Sequence, residues 1–446
     1  MLFRSEELER AGVELVELSF VDNAGITRVK TVPLGRLAAA AATGVGASPC
    51  FEAFGSDDVM VAGRYLGGPD GDLRLVPDLD RAVALAGQPG WAWAPADKFT
   101  QDGARFVACQ RAFAGRQVAA AAQRGLTLRM AFEHEWILGQ HGTAEFVAAF
   151  DGPGYGQIRL EQTAVYAREL VADLQAQGIS VDQFHPEYAG AQLEISVAAT
   201  DPVAAADDAV LVRHSIRTRS LAHGWRATFA PSVDPAGAGS GMHLHLSVHD
   251  ADGSAMTGGA GPAGLRPAGE AFLAGILREL PALVAIGAGH PVSFLRAQPS
   301  RWAGVWQCWG VETRETALRM VTGVAGTERT AANAEVKCCD GTANPYLLAG
   351  AVIAAGLSGV DSEARLPAPV TGDPAALDAV QRAAAAIHRL PTSATEAADA
   401  LASSDVLATA LGVELHDVIL TVRRAEAERC AALGPAELAA ATRWRW

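Results

Sequence analysis

The chain has 446 residues, about three times an average domain, which excludes a small single-module binder. Half of the residues are apolar, 6% aromatic and 19% charged, the composition of a globular protein with a large core and not of a disordered chain. Thirty-six Lys+Arg against fifty Asp+Glu give a net charge of −14, which repels phosphate backbones and anionic lipid; neither nucleic acid nor a membrane is an expected partner.

The opening stretch Met1 to Glu7 lacks the basic-then-apolar order of a secretory signal, and no uncharged apolar run reaches the ~20 residues of a membrane span. Its longest candidate, Tyr346 to Val360, is too short and broken by glycine. Six cysteines form no Cys-x-x-Cys pair, so a reduced, cytoplasmic setting is expected. Val13 to Phe20 and Ile26 to Val32 alternate as strands around the turn Asp22-Asn23-Ala24-Gly25. They predict a small β-rich N-terminal domain ending near a loop at Pro95 to Gly103. Ala112 to Arg124 reads as a helix stopped by Gly125, and Leu126 to Leu138 as a strand. Glu161 to Gln177 reads as a helix ended by Gly178, and Gln192 to Val197 and Arg226 to Ala230 as strands. Asp201-Pro202 and Asn344-Pro345 each open a helix in cap-then-proline order. Ala364 to Trp446 reads as mostly alanine-rich helix, with Ser393-x-x-Glu396 as a capping box. Helices set apart from strands predict an α+β catalytic body with an antiparallel or mixed sheet.

On the strand Met130 to Leu138, Glu133 and Glu135 are two apart and share one face, where parallel carboxylates repel unless cations or shared protons compensate. Glu187 lies in a Pro/Gly turn and Glu194 on a following strand, while Glu335 sits in another short alternating run. His243 and His245 share a strand face directly after the glycine-rich run Ala236 to Gly241, a spacing that suits a metal or phosphate site. Singly, each feature has a plain reading: a solvated strand face, a core histidine pair, or surface ion pairs for Arg296, Arg301, Arg314 and Arg319. Together, five acids and a histidine favour hard cations, Mg²⁺ or Mn²⁺, over zinc, and arginines beside such cations suit phosphoryl transfer.

In this order the segments resemble the glutamine synthetase family over nearly the whole chain. The resemblance rests on the Glu133-x-Glu135 strand, Gly239 to His245, Asp340-Gly341 and Asn344-Pro345-Tyr346-Leu347. It implies an N-terminal β-grasp domain over residues 1–104 and a catalytic domain over 105–446, whose curved antiparallel sheet, surrounded by helices, forms a funnel-shaped site. It implies ATP and two or three Mg²⁺ or Mn²⁺ ions, one held by Glu135, Glu187 and Glu194 and another by Glu133, His243 and Glu335. His245 would contact nucleotide phosphate, Arg296 would grip the substrate carboxylate, and Gly239 would lie beside the amino-acid substrate. Arg314 and Arg319 match the family's phosphate-side and substrate-side arginines, while Asn333 and Lys337 stand where it carries two further arginines of the nucleotide-phosphate grip. Stacked hexameric rings, a dodecamer, are implied as well.

Departures from the family pattern redirect the expected chemistry. Ala238 replaces an asparagine near the amino-acid substrate, and the acidic loop a neighbouring subunit contributes is not recognisable around Cys50 to Phe54. The flap glutamate that holds and deprotonates ammonium becomes Trp302, whose indole has one N–H donor and no basic site. An aromatic wall suits the carbon chain or charged head of an organic amine. The expected activity is therefore an ATP-dependent ligase joining the γ-carboxylate of glutamate to an organic amine through γ-glutamyl phosphate, as in γ-glutamylpolyamine or γ-glutamylethanolamide synthetases. The alternatives are a glutamine synthetase using ammonia and a catalytically silent member with a structural or regulatory role.

Overall fold

The computed structural model describes residues 2–143 and 145–446. A helix α1 (Leu2–Arg10) leads into the strands β1 (Leu15–Val21) and β2 (Thr27–Pro33), followed by α2 (Leu37–Thr43), β3 (Val45–Ala47), β4 (Leu73–Pro77), β5 (Val83–Ala84) and β6 (Trp91–Phe99). The predicted hairpin is present, with Val21 opposite Thr27 and the Asp22 carboxylate accepting from the Ala24 and Ile26 N–H groups. The sheet runs β2-β1-β6-β4-β3 with β5 on β6, and its β1–β6 pair is parallel. Where a loop is expected from Pro95, the chain instead continues the central strand to Phe99. Pro95 lies there beside Ser19 of β1, and its carbonyl accepts from Asp78 N–H at 2.8 Å.

After α3 (Gln110–Gln123) come β7 (Thr127–Phe132), β8 (His134–Gln140), α4 (Gln157–Ala176), β9 (Val181–Pro186), β10 (Gln192–Val197), α5 (Pro202–Ala222) and β11 (Trp225–Thr228). Then follow β12 (Leu244–Asp250), β13 (Gly253–Ser254), α6 (Pro267–Gly287), α7 (Ser293–Arg296), β14 (Trp306–Val311), β15 (Thr316–Val321), α8 (Glu328–Ala331), β16 (Asn333–Val336) and α9 (Pro345–Asp361). A two-residue strand, β17 (His388–Arg389), and further short helices complete the chain. The strand expected over Leu126 to Leu138 is broken at Glu133. β7 pairs with β12 in one sheet, whereas β8 pairs with β10 and β11 in a second, ordered β11-β8-β10-β9. The larger sheet runs β13-β12-β16-β15-β14-β17 with β7 on the other side of β12, and its single departure from antiparallel pairing is β14 with β15. Glu133 thus sits where two sheets meet, its N–H donating to the His243 carbonyl at 2.9 Å.

The helix caps follow the sequence. Asp201 accepts from the N–H groups of Val203 and Ala204, and Asn344 from those of Tyr346 and Leu347. At Ser393 only half of the expected box forms: its hydroxyl accepts from Glu396 N–H, while the Glu396 carboxylate turns to Thr392. Ala364 to Asp378 is largely non-helical, so the helical C-terminal region begins at Ala379. Helices α6 and α9 cross at Gly275 and Gly359, whose backbones touch without Cβ atoms between them. The N-terminal sheet packs a separate small core around Val16, Leu18, Leu37 and Leu75. Its hairpin docks on the catalytic body, since the Asn344 side-chain amide donates to the Val21 and Asp22 carbonyls and the Trp446 indole donates to the Ala24 carbonyl. Glu52, in the segment that resisted recognition, is buried and faces its own chain, where it pairs with Lys98 and accepts from Gln110. No helix among the described residues is long and apolar enough to cross a membrane.

Candidate active site

Strand pairing assembles the acids. Glu135 on β8 lies opposite Glu194 on β10, which in turn lies opposite His185 on β9. In the other sheet Glu335 on β16 lies opposite His245 on β12, and Glu133 closes the corner. Ligand atoms of Glu133, His243 and Glu335 come within 4.8 Å of one another. So do those of His185, Glu187 and Glu194, and those of Glu133, Glu135 and Glu194. Glu194 therefore bridges two groups, and Glu135 and Glu187 meet through it. His185 was not singled out from the sequence, although it stands two residues before Glu187, the spacing that had placed Glu133 and Glu135 together.

The clustered acids and imidazoles set one another's charge. Burial, reinforced by the carboxylates of Glu133, Glu135 and Glu187, pushes Glu194 up to about 11. Burial also raises Glu135, against His243 and Arg296, which favour its charged form. Glu133 is partly buried, but hydrogen bonds from His243 and His245 hold it well below the usual carboxylate range. Glu335 is likewise buried and held low by Lys337, His243 and His245. Burial works against the charged form of His245, yet its bonds to Glu133 and Asn333 raise it to about 9. Five carboxylates converge here with His185 and His243, and oxygen-rich donor sets of this kind fit Mg²⁺ or Mn²⁺.

Arg296 is buried, its guanidinium 3.1 Å from His243 Nε2. Gly239 and Gly241 make room for it: a Cβ at Gly239 would fall 2.8 Å from Arg296 Cβ, and one at Gly241 2.8 Å from Arg296 Nη2. Gln192 ties this loop to the acids, with its amide donating to Glu135 at 2.8 Å and to the Gly239 carbonyl at 3.0 Å. Arg319 pairs with Glu335 and with Glu312, at 3.0 Å each, and Lys337 reaches Glu335 at 2.9 Å. Asn333 bonds His245 at 2.9 Å. Arg314 is exposed in the 312–315 connection and makes no ion pair among the described residues.

Trp302 lies on a flap in which Ser300 (φ 57°), Trp302 (φ 55°) and Gly304 (φ 63°) all take left-handed backbone, costly at the two non-glycine positions. Arg301 donates to the Gly237 carbonyl at 3.2 Å, closing the flap over the glycine-rich loop. The half-exposed indole meets Tyr188 edge-on at 5.0 Å, Tyr188 meets Tyr155 at 5.2 Å, and Tyr155 stacks on His185 at 5.2 Å. Tyr155 also donates its hydroxyl to Glu187. An aromatic string therefore runs from the acid cluster to the flap. Sequence reading missed Tyr155 and Tyr188, for which a glycine-rich turn carries no periodic signal. Gln192 was within reach, being two residues before Glu194 on one strand.

The model of the glutamine synthetase catalytic domain matches residues 107–439, and that of the glutamine synthetase N-terminal domain residues 2–106. A gamma-glutamylpolyamine synthetase, GlnA3, from Streptomyces coelicolor is 52% identical over 445 residues, covering 99% of this chain and 96% of the relative. A crystal structure described as a novel glutamine synthase homologue superposes with a TM-score of 0.86 at 30% identity, over 97% of this chain and 99% of that one. A ligand-free structure of a protein called GmaS superposes at 0.84 with 26% identity, covering 97% of each chain.

Proposed function

The chain belongs to the glutamine synthetase family, and we infer that it is an ATP-dependent ligase joining the γ-carboxylate of glutamate to an organic amine. Full-length similarity to a γ-glutamylpolyamine synthetase carries this reading. Trp302 supports it from the site, because an indole has no acceptor or basic atom with which to deprotonate ammonium.

In the reaction, the glutamate γ-carboxylate attacks the γ-phosphorus of ATP in line, ADP leaves, and γ-glutamyl phosphate forms. The amine nitrogen then attacks the acyl carbon, losing a proton, and phosphate departs. Divalent cations, when bound, neutralise the phosphate charge; we assign one to Glu133, His243 and Glu335, and a second to Glu135, Glu187 and Glu194 with His185 beside them. Arg296, buried between His243 and the glycine loop, is our choice for the grip on glutamate, with Gly239 leaving it room. Arg319 and Lys337 orient Glu335, and Asn333 fixes the His245 ring with its other nitrogen toward Glu133, from where it would contact nucleotide phosphate. Arg314, which has no partner of its own among the described residues, is free to meet the moving phosphoryl group. We place the enzyme in the cytoplasm as stacked hexameric rings.

The test is phosphate release with glutamate and Mg²⁺ or Mn²⁺ against ammonium, ethanolamine, diamines and polyamines, with products weighed by mass spectrometry. A γ-glutamyl-amine mass with little glutamine is expected. A kcat/KM for ammonium above that of every organic amine would return the enzyme to glutamine synthesis, and no turnover with any pair would make it a silent member. Trp302→Glu is expected to shift the preference toward ammonium.

A further inference from the structure

A cavity of about 270 Å³ lies against β14, between α6 and the segments 364–370 and 385–388. Strand pairing accounts for it. β17 covers β14 only at Trp306 and Gln307, and further along a non-helical segment takes over, with Val370 N–H donating to the Trp309 carbonyl at 2.9 Å. The cavity is the gap between these two partners, and it opens on Cys308 and Trp309. Its apolar lining includes Leu277, Trp309 and Pro367, and the Trp309 indole N–H donates to the Pro367 carbonyl at 2.9 Å. Pro281 leaves the Leu277 carbonyl of α6 without its helical N–H, and the Gln307 amide donates there instead at 3.0 Å, tying α6 to β14.

The charged lining has one sign. Arg278, Arg365 and the exposed His388 line the cavity, and among the described residues no aspartate or glutamate does. Arg278 is positioned mainly by neutral groups, donating to the Ser358 hydroxyl at 2.9 Å and that of Ser362 at 3.4 Å, with Glu279 3.5 Å from its Nε. Arg365 donates to Glu270 at 2.8 Å through Nη1. A guanidinium has five N–H donors, so both arginines keep some for a further acceptor. An apolar cavity of ~150 Å³ takes up benzene, so this one has room for an aromatic ring and a short acidic arm.

Both partners of β14 also hold the flap. Arg389, next to His388, donates to the Ala297 and Val305 carbonyls at 2.9 and 2.7 Å, clamping the two ends of the flap. Beyond Val370 the chain reaches Asp373, which accepts from the Ser300 hydroxyl at 2.6 Å.

We propose that this cavity is an effector site for a small organic anion, a carboxylate on an apolar body, whose binding steadies the flap by bracing the two segments that close on β14. The carboxylate meets Arg278 and Arg365, and the apolar body fills the space beside Trp309. Neither arginine belongs to the catalytic machinery assigned above.

The probe is phenylacetate, with phenylacetamide as its uncharged counterpart of the same shape, in calorimetry on the full chain with glutamate saturating. One phenylacetate per chain is expected, with a Kd of about 1 mM or tighter, and phenylacetamide at least ~10-fold weaker. Arg278→Gln combined with Arg365→Gln should weaken phenylacetate at least ~10-fold, and Ala368→Trp, which fills the cavity from its exposed rim, should abolish binding. The flap is followed by hydrogen exchange of residues 298–304, which bound phenylacetate should slow at least about threefold in the unaltered chain and leave unchanged in Ala368→Trp. No saturable binding, equal binding of phenylacetamide, or binding undiminished in both variants would overturn the site. Binding that leaves exchange of the flap unaltered would overturn the effector role. Both readouts work without turnover, so a failure of the ligase reading and a failure of this proposal are seen separately.

Discussion

Replacing Gly241 by alanine tests whether the glycine-rich loop is a spacing device for the acid cluster. Gly241 has a backbone conformation that alanine adopts, so the effect comes from the added methyl alone. Its Cβ would lie 2.7 Å from His243 Nε2, 2.8 Å from Arg296 Nη2 and 2.9 Å from Glu135 Oε1. Restoring contacts of 3.4 Å requires these groups to retreat by about 0.5 to 0.7 Å. Metal sites tolerate shifts of about 0.2 Å, and a misplacement near 1 Å costs about 100-fold in rate. Gly241→Ala is therefore expected to lower kcat/KM by about 30- to 100-fold, or roughly 2 to 2.7 kcal/mol of transition-state stabilisation. It should also weaken Mn²⁺ binding, read as the midpoint of Mn²⁺-dependent thermal stabilisation. Overpacking should cost the fold only about 1 to 3 kcal/mol, leaving the protein soluble. Gly237→Ala is the control, since its nearest neighbour is 3.4 Å away. Activity within threefold of wild type together with an unchanged Mn²⁺ midpoint would refute the reasoning.

Glu194 is pushed up to about 11 by burial and its neighbouring carboxylates, so without metal it is already neutral at pH 7. Glu194→Gln should accordingly change the metal-free stability by less than about 1 kcal/mol, yet weaken Mn²⁺ at least ~10-fold; calorimetry of both forms checks this. At the α6–α9 crossing, a Cβ on Gly359 would meet the Ala271 carbonyl and come 2.6 Å from Gly275 N, both backbone atoms. Gly359→Ala should destabilise by about 3 kcal/mol or more in urea unfolding, with soluble yield falling in step. His290 is buried and lowered to about 4, by burial first, with Arg423 and Arg445 adding to the shift and Glu426 and Asp57 opposing it. Its Nδ1 accepts from Val292 N–H and its Nε2 faces the Ser56 hydroxyl, a neutral ring tying loop 55–57 to the C-terminus. Because the unfolded chain binds that proton near pH 6.5, stability is full above it and falls as pH drops toward 4, by ~3 kcal/mol. A His290→Gln variant should flatten that part of the urea-midpoint profile.

Some of this was legible in residues alone. The acids at 133, 135, 187, 194 and 335, with His243, were chosen by type and spacing; three of them, Glu135, Glu194 and Glu335, stand on paired strands whose side-chain alternation is a local property, and all six fall in the groups whose ligand atoms meet. Helix starts at Asp201-Pro202 and Asn344-Pro345 were equally local, because a cap is decided by the residues of one turn. The break at Glu133 was not, since nothing in Leu126 to Leu138 says that β7 will pair with β12 and β8 with β10. Pro95 inside a central strand defied its usual meaning for the same reason: only the folded chain sets it beside Ser19 of β1, with its carbonyl accepting from Asp78 N–H.

The sequence by itself determined which chemical groups are available: carboxylates and imidazoles in alternating runs, a glycine loop able to approach them, and an indole in place of the flap acid. Tertiary structure decided which groups meet. It placed Arg314 outside and Glu315 inside one short connection, turned Arg319 and Lys337 toward Glu335, and lined Tyr155, Tyr188 and Trp302 into one wall. Residue types and periodicities are fixed along the chain, whereas burial, pairing and the charge a group can carry depend on neighbours more than a hundred residues away, as Glu133 and His243 are.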